Sequence, residues 1–122
     1  METGARIESY KDLRVWKRGM SLAATIYELT AGFPKREELG LVSQMRRAAV
    51  SIPSNIAEGY GRQSTGDYKR YLSVARGSLF ELETQLLLCQ QLGLLDSPSG
   101  KGALSSTTDL SKMLSSLIAK IR

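Results

Sequence analysis

A proline stands inside a long amphipathic stretch of this chain, residues 44–62, QMRRAAVSIPSNIAEGYGR. Within a helix a proline removes one backbone hydrogen bond and presses on the carbonyl four residues back, here that of Ala49. In a free helix that costs about 3 kcal/mol. The chain must therefore end its helix at Pro53 or kink it there. Ile52 and Ile56 keep one apolar stripe in phase across the proline, which predicts a kinked but continuous helix over residues 36–59.

That helix carries two stripes. Leu41, Met45, Ala48, Ile52 and Ile56 form an apolar one, and Gln44, Arg47, Ser51, Asn55 and Glu58 a polar one, both at spacings of three and four. Ala48, Ala49 and Ser51 are small enough for another helix to come close, and polar groups beside them can bridge across it. Arg46, Arg47, Ser51, Asn55 and Glu58 are therefore expected in a polar seam or subunit interface, with Glu81 and Glu83 as carboxylate partners for Arg46 or Arg47. The alternative for both glutamates is an ordinary surface position.

Three further helices are expected, over residues 10–31, 65–92 and 98–121. In the first, Leu13, Trp16, Met20, Ala23 and Tyr27 recur at helical spacing, Ser9 and Asp12 form a capping pair, and Gly32-Phe33-Pro34 is a stop. In the third, Tyr68, Leu72, Ala75, Leu79, Leu82, Leu86 and Cys89 form the core stripe, Ser64 with Asp67 caps the start, and Gly93 closes the end. Phe80, Leu87 and Leu88 lie off that stripe, which predicts burial on more than one side; Gly77 in mid-helix predicts close approach by another group. Gly59 and Gly61 are expected to supply positive φ at the exit of the second helix. Pro98 opens a fourth, Ser/Thr-rich helix with Leu110, Met113, Leu114, Leu117, Ile118 and Ile121 as its stripe.

No strand pattern and no repeat is present. Four amphipathic helices on short connections give an all-α, up-down-up-down antiparallel four-helix bundle of one domain, residues 1–122. The chain contains no histidine and one cysteine, Cys89, which sits on a core stripe and reads as a small buried hydrophobe. That leaves no usual general base, no disulfide and no CxxC metal site, so neither an enzyme nor a metal or other cofactor is expected. No apolar run approaches a membrane span and the first residues lack a signal-peptide core, so a cytoplasmic protein is expected.

Charge supplies the functional lead. Residues 6–76 hold thirteen Lys and Arg against seven Asp and Glu, whereas residues 77–122 hold four of each. A basic excess in the first part of the chain points to RNA, DNA or another acidic partner. The candidate nucleic-acid contacts are Lys11, Arg14, Lys17, Arg18, Arg62, Lys69 and Arg70. The first four crowd a helix N-terminus, where the macrodipole disfavours cations, so local stability does not explain them. Arg62 and Lys69 flank the helix opening at Ser64, where free N–H groups offer a phosphate site; a tight capped turn with solvated charges is the simpler alternative. Trp16 and Tyr60 are available to stack on bases, although Trp16 falls on the expected core stripe. The other reading of the basic face is a scaffold that meets an acidic protein.

The runs DLRVWKRG, FPKREELGLVSQMRRAAVSIPSNIAEGYGR and YLSVARGSLFELETQL together resemble the four-helix-bundle family of the 23S rRNA intervening-sequence proteins. The resemblance implies a four-helix bundle that assembles into a ring-shaped homopentamer with a basic surface. It also implies distant kinship with the accessory proteins of diversity-generating retroelements, which bind nucleic acid and a reverse transcriptase. No molecular activity is settled for the family, so the resemblance carries no catalytic residue, cofactor or small-molecule substrate to this chain.

Overall fold

In a computed structural model, residues 6–122 are described. The reading of the extreme N-terminus as free of a signal-peptide core falls partly on residues 1–5, which lie outside the described residues. The described residues form four α-helices and no strand: α1 (Arg14–Thr30), α2 (Ser43–Tyr60), α3 (Thr65–Gln91) and α4 (Ser97–Lys120). Consecutive helices pack together and α1 also packs on α4, so the contacts make a closed circuit. Leu22, Ile26, Met45, Ile52, Ile56, Leu72, Leu82, Leu86, Leu110 and Leu114 bring all four helices into one core. At roughly 1.5–3 kcal/mol for each large aliphatic side chain removed from water, this core is the main stabilising term.

The opening of α1 differs from expectation. The Ser9–Asp12 capping box forms: the Asp12 carboxylate accepts from the Glu8 and Ser9 amides at 2.9 and 3.2 Å, and Ser9 Oγ accepts from the Lys11 amide at 3.1 Å. It caps only a 3-10 turn, Tyr10–Asp12, because Leu13 then takes an extended conformation at φ −72°, ψ 130°. Leu13 therefore cannot set the phase of α1. The buried face is Val15, Gly19, Leu22, Ile26 and Thr30, while Met20 and Tyr27 of the expected stripe are nearly half exposed and Trp16 and Ala23 are partly buried.

The two amide donors hold the Asp12 carboxyl below its ordinary value of 3.8, with a smaller contribution from Lys17. A depressed folded value means that the capping contribution is complete above the unfolded value and is lost as pH falls through the folded one. The wild type is expected to lose stability below about pH 4 more steeply than Asp12→Asn, as read by thermal melts across that range.

Residues between α1 and α2 are wound as a 3-10 turn, Lys35–Glu37, and a π turn, Glu38–Val42. The α-helix proper thus starts later than residue 36. It then runs through Pro53 without interruption. Pro53 is buried against α1 beside Gly19, where an added Cβ would stand in contact, 3.4 Å from both Pro53 Cδ and Ile52 Cγ2. Packing of the ring offsets its local cost.

Neither Gly59 nor Gly61 supplies the expected positive φ; Gly61 caps α2 at φ −79°. The positive-φ glycine of the described residues is Gly93, at φ 74°. Gly59 lies inside α2, and a Cβ on it would fall 2.6 Å from Tyr71 Cβ, so the absence of a side chain lets α2 and α3 meet. Gly93 ends α3 with the Leu94 amide donating to the Cys89 carbonyl and its own amide to Gln90, the Schellman arrangement. At the start of α4 the cap is Asp96, whose Oδ1 accepts from the Ser99 amide at 3.0 Å, with Pro98 in the first turn.

The outer side of α3 corrects a further expectation. Phe80 and Leu87 are each 50% exposed and Leu88 42%. Gly77 has nothing within 4 Å of where a Cβ would be. The second apolar side of α3 faces outward.

Candidate functional site

The cations of α1 acquire partners from α4 that the sequence kept far away. Arg14 lines one groove with Lys112 and Lys120, over an apolar floor that includes Leu13, Val15, Met113 and Leu117. Arg18 follows Arg14 by four residues and so continues its side of α1; it is exposed, as are Lys17 and Lys11. Lys112 and Lys120 were missed because residues 77–122 are neutral as a segment. The signal lay in position: they stand eight residues apart on a helix that the closed circuit places beside α1.

The other expected cations divide. Arg62 donates a short hydrogen bond to the Tyr71 hydroxyl and stacks on its ring at 4.8 Å, and Arg70 stacks on the same ring at 4.8 Å. Arg70 also pairs with Asp67 at 3.5 Å. Ser64 Oγ accepts from the Asp67 amide at 3.1 Å, occupying one of the N–H groups of α3. Arg62 is thus held on Tyr71, the ring that Arg70 also stacks on; Lys69 is half-buried and makes no hydrogen bond or ion pair among the described residues. Trp16 and Tyr60 meet other rings edge-on, Tyr10 at 5.3 Å and Tyr68 at 6.0 Å.

The polar seam forms between α2 and α3, from fewer residues than expected. Ser51 and Ser78 hydroxyls lie 2.9 Å apart, and Asn55 Nδ2 donates to the Ser51 carbonyl and hydroxyl at 2.8 and 2.9 Å. Ser78 was missed, since one serine in a long helix carries no signal of its own. Glu58 is exposed. Neither arginine meets Glu81 or Glu83 in this chain. Arg46 turns to α1, donating to Thr30 Oγ1 at 3.0 Å and the Tyr27 carbonyl at 3.2 Å, with its guanidinium 4.4 Å from the Tyr27 ring. A cation there satisfies a last-turn carbonyl and suits the helix dipole. Arg47 is exposed with no partner among the described residues, and Glu81 accepts only from Gln85 Nε2, at 3.3 Å. Glu83 forms no ion pair among them.

A second groove runs along α1 and α2. Its apolar half includes Trp16, Met20, Tyr27, Val50 and Ala57, and its polar half Arg46, Arg47, Ser51 and Glu38. Cys89 is wholly buried, its Sγ 3.6 Å from Met45 Sδ, and burial pushes its thiol up to about 11, with a smaller push from Glu37. It is therefore a neutral core group at ordinary pH. Among the described residues no cluster of three or more metal-ligating side chains occurs, and no helix is long and apolar enough to cross a membrane.

Residues 11–116 match the family described as 23S rRNA-intervening sequence protein. The chain belongs to this family. The match spans all of α1, α2 and α3 and most of α4, including Arg14 and Lys112 of the α1–α4 groove but not Lys120. The fold is similar to that of a crystallised protein of unknown function from the S23 ribosomal protein family of Bacteroides thetaiotaomicron VPI-5482, with a TM-score of 0.80 and 23% identity over 87% of this chain and 96% of that one. No curated protein matches the chain.

Proposed function

We propose that the protein is a non-enzymatic, homo-oligomeric four-helix bundle that binds nucleic acid through the basic groove between α1 and α4. The observation that carries the reading is the meeting of Arg14 with Lys112 and Lys120 in one groove, beside Arg18, Lys17 and Lys11. Charges drawn from two helices onto one surface make a row of phosphate contacts, whereas a scattered solvated excess would not. Arg62, Arg70 and Lys69 add a second basic cluster at the α2–α3 end. The bundle is taken as up-down-up-down, with α2 bent at Pro53, and as cytoplasmic. Oligomerisation, pentameric by family resemblance, multiplies these contacts and raises avidity without any new kind of contact.

A second reading rests on the floor of the same groove. Leu13, Val15, Met113 and Leu117 suit an acidic amphipathic helix of a protein partner, with the cations on the rim. Filter binding at low salt separates the two. Retention of a single-stranded RNA or a DNA duplex, resisting competition by polyglutamate of equal charge, supports the nucleic-acid reading. If neither nucleic acid is retained at low salt, that reading falls.

A further inference from the structure

We propose that the α1–α2 groove receives the outer side of α3 from a second copy of the same chain, in a head-to-tail contact. This rests on the reading of the protein as a homo-oligomer. Two apolar surfaces lie apart on the molecule. One is the concave groove with Met20, Tyr27 and Val50 at its rim, 48%, 45% and 43% exposed. The other is the convex ridge of α3, where Phe80, Leu87 and Leu88 recur at helical spacing. A ridge seated between two helices is ordinary helix packing.

Charge complementarity chooses this occupant. Among the described residues Arg47 stands in the groove with no partner, and Glu81 borders the ridge with only the Gln85 amide for company. Glu38, the carboxylate of the groove, is exposed at its polar end and also forms no ion pair among the described residues. Seating the ridge in the groove brings Glu81 to Arg47 while covering both apolar faces. It also accounts for Gly77, a helix-weakening residue whose missing Cβ would meet nothing within 4 Å among the described residues beyond its own turn of helix: on the ridge it lets the second copy come close. Because the two surfaces are different and do not overlap, the contact is heterologous, so each copy keeps one free groove and one free ridge for further copies.

Two exposed substitutions test this by sedimentation at micromolar concentration, with helicity checked by circular dichroism. The wild type is expected to sediment well above 13.4 kDa, and Val50→Glu and Leu88→Glu each at 13.4 kDa. Mixing the two variants is expected to give a species of twice that mass and no larger one, since only the intact ridge of one and the intact groove of the other remain. Arg47→Glu and Glu81→Arg, which leave the apolar core untouched, are each expected to weaken assembly and their combination to restore it. A wild type of 13.4 kDa would overturn both the contact and the oligomeric reading. An assembled wild type whose Val50→Glu or Leu88→Glu variant keeps the same size, or a mixture that stays monomeric, would overturn this contact alone. Nucleic-acid binding enters none of these outcomes.

Discussion

Gly59→Ala is expected to destabilise the fold by about 1–3 kcal/mol, although alanine is the better helix former. The added Cβ would lie 2.6 Å from Tyr71 Cβ and 3.3 Å from the Tyr68 carbonyl oxygen. Those are backbone and near-backbone atoms, which no rotamer change can move aside. Relief requires α2 and α3 to separate at their shared end, which loosens Tyr60 from Tyr68 and Arg62 from Tyr71. Gly77→Ala provides the contrast. It sits in the middle of α3 with nothing within 4 Å, so in dilute, monomeric protein it is expected to stabilise by up to about 1 kcal/mol. Chemical denaturation of both variants checks the pair; equal effects of the same sign would refute the close approach at Gly59.

These two glycines show where the sequence was readable and where it was not. The α2 stripe was legible because Met45, Ala48, Ile52 and Ile56 repeat at helical spacing across Pro53, and all four are buried. Ser51 and Asn55 were legible as a seam for the same reason. The role of Gly59 was not, because glycine signals freedom of φ as readily as absence of a side chain, and only the position of Tyr71 decides between them. The phase of α1 failed on one residue: Leu13 is extended, so a stripe counted from it lands on the α1–α2 groove instead of the core. Arg46 was read as one of two candidate partners for a carboxylate and serves the end of α1, which depends on where Thr30 finishes its helix. The α1–α4 groove was half visible, since Arg14 stood out as a cation at a helix start while Lys112 and Lys120 looked unremarkable in a neutral segment.

That groove carries the second large effect. Replacing Arg14, Lys112 and Lys120 together by alanine is expected to weaken RNA binding by at least about tenfold near 0.1 M salt, by removing three adjacent phosphate contacts. The same number of charges removed elsewhere, at Lys35, Arg36 and Lys101, leaves the same net charge and is expected to change affinity far less. The comparison separates a built surface from a general electrostatic attraction. Circular dichroism on both variants verifies that the four helices persist, since Arg14 begins α1.

The most direct measurement is the slope of log affinity for single-stranded RNA against log salt concentration, in the wild type and both triple variants. The account predicts that the groove variant loses about 2 from the magnitude of that slope, close to 0.7 for each phosphate contact removed, while the control keeps the wild-type slope. Equal slopes for the two variants, or a wild type whose binding does not respond to salt, would contradict it.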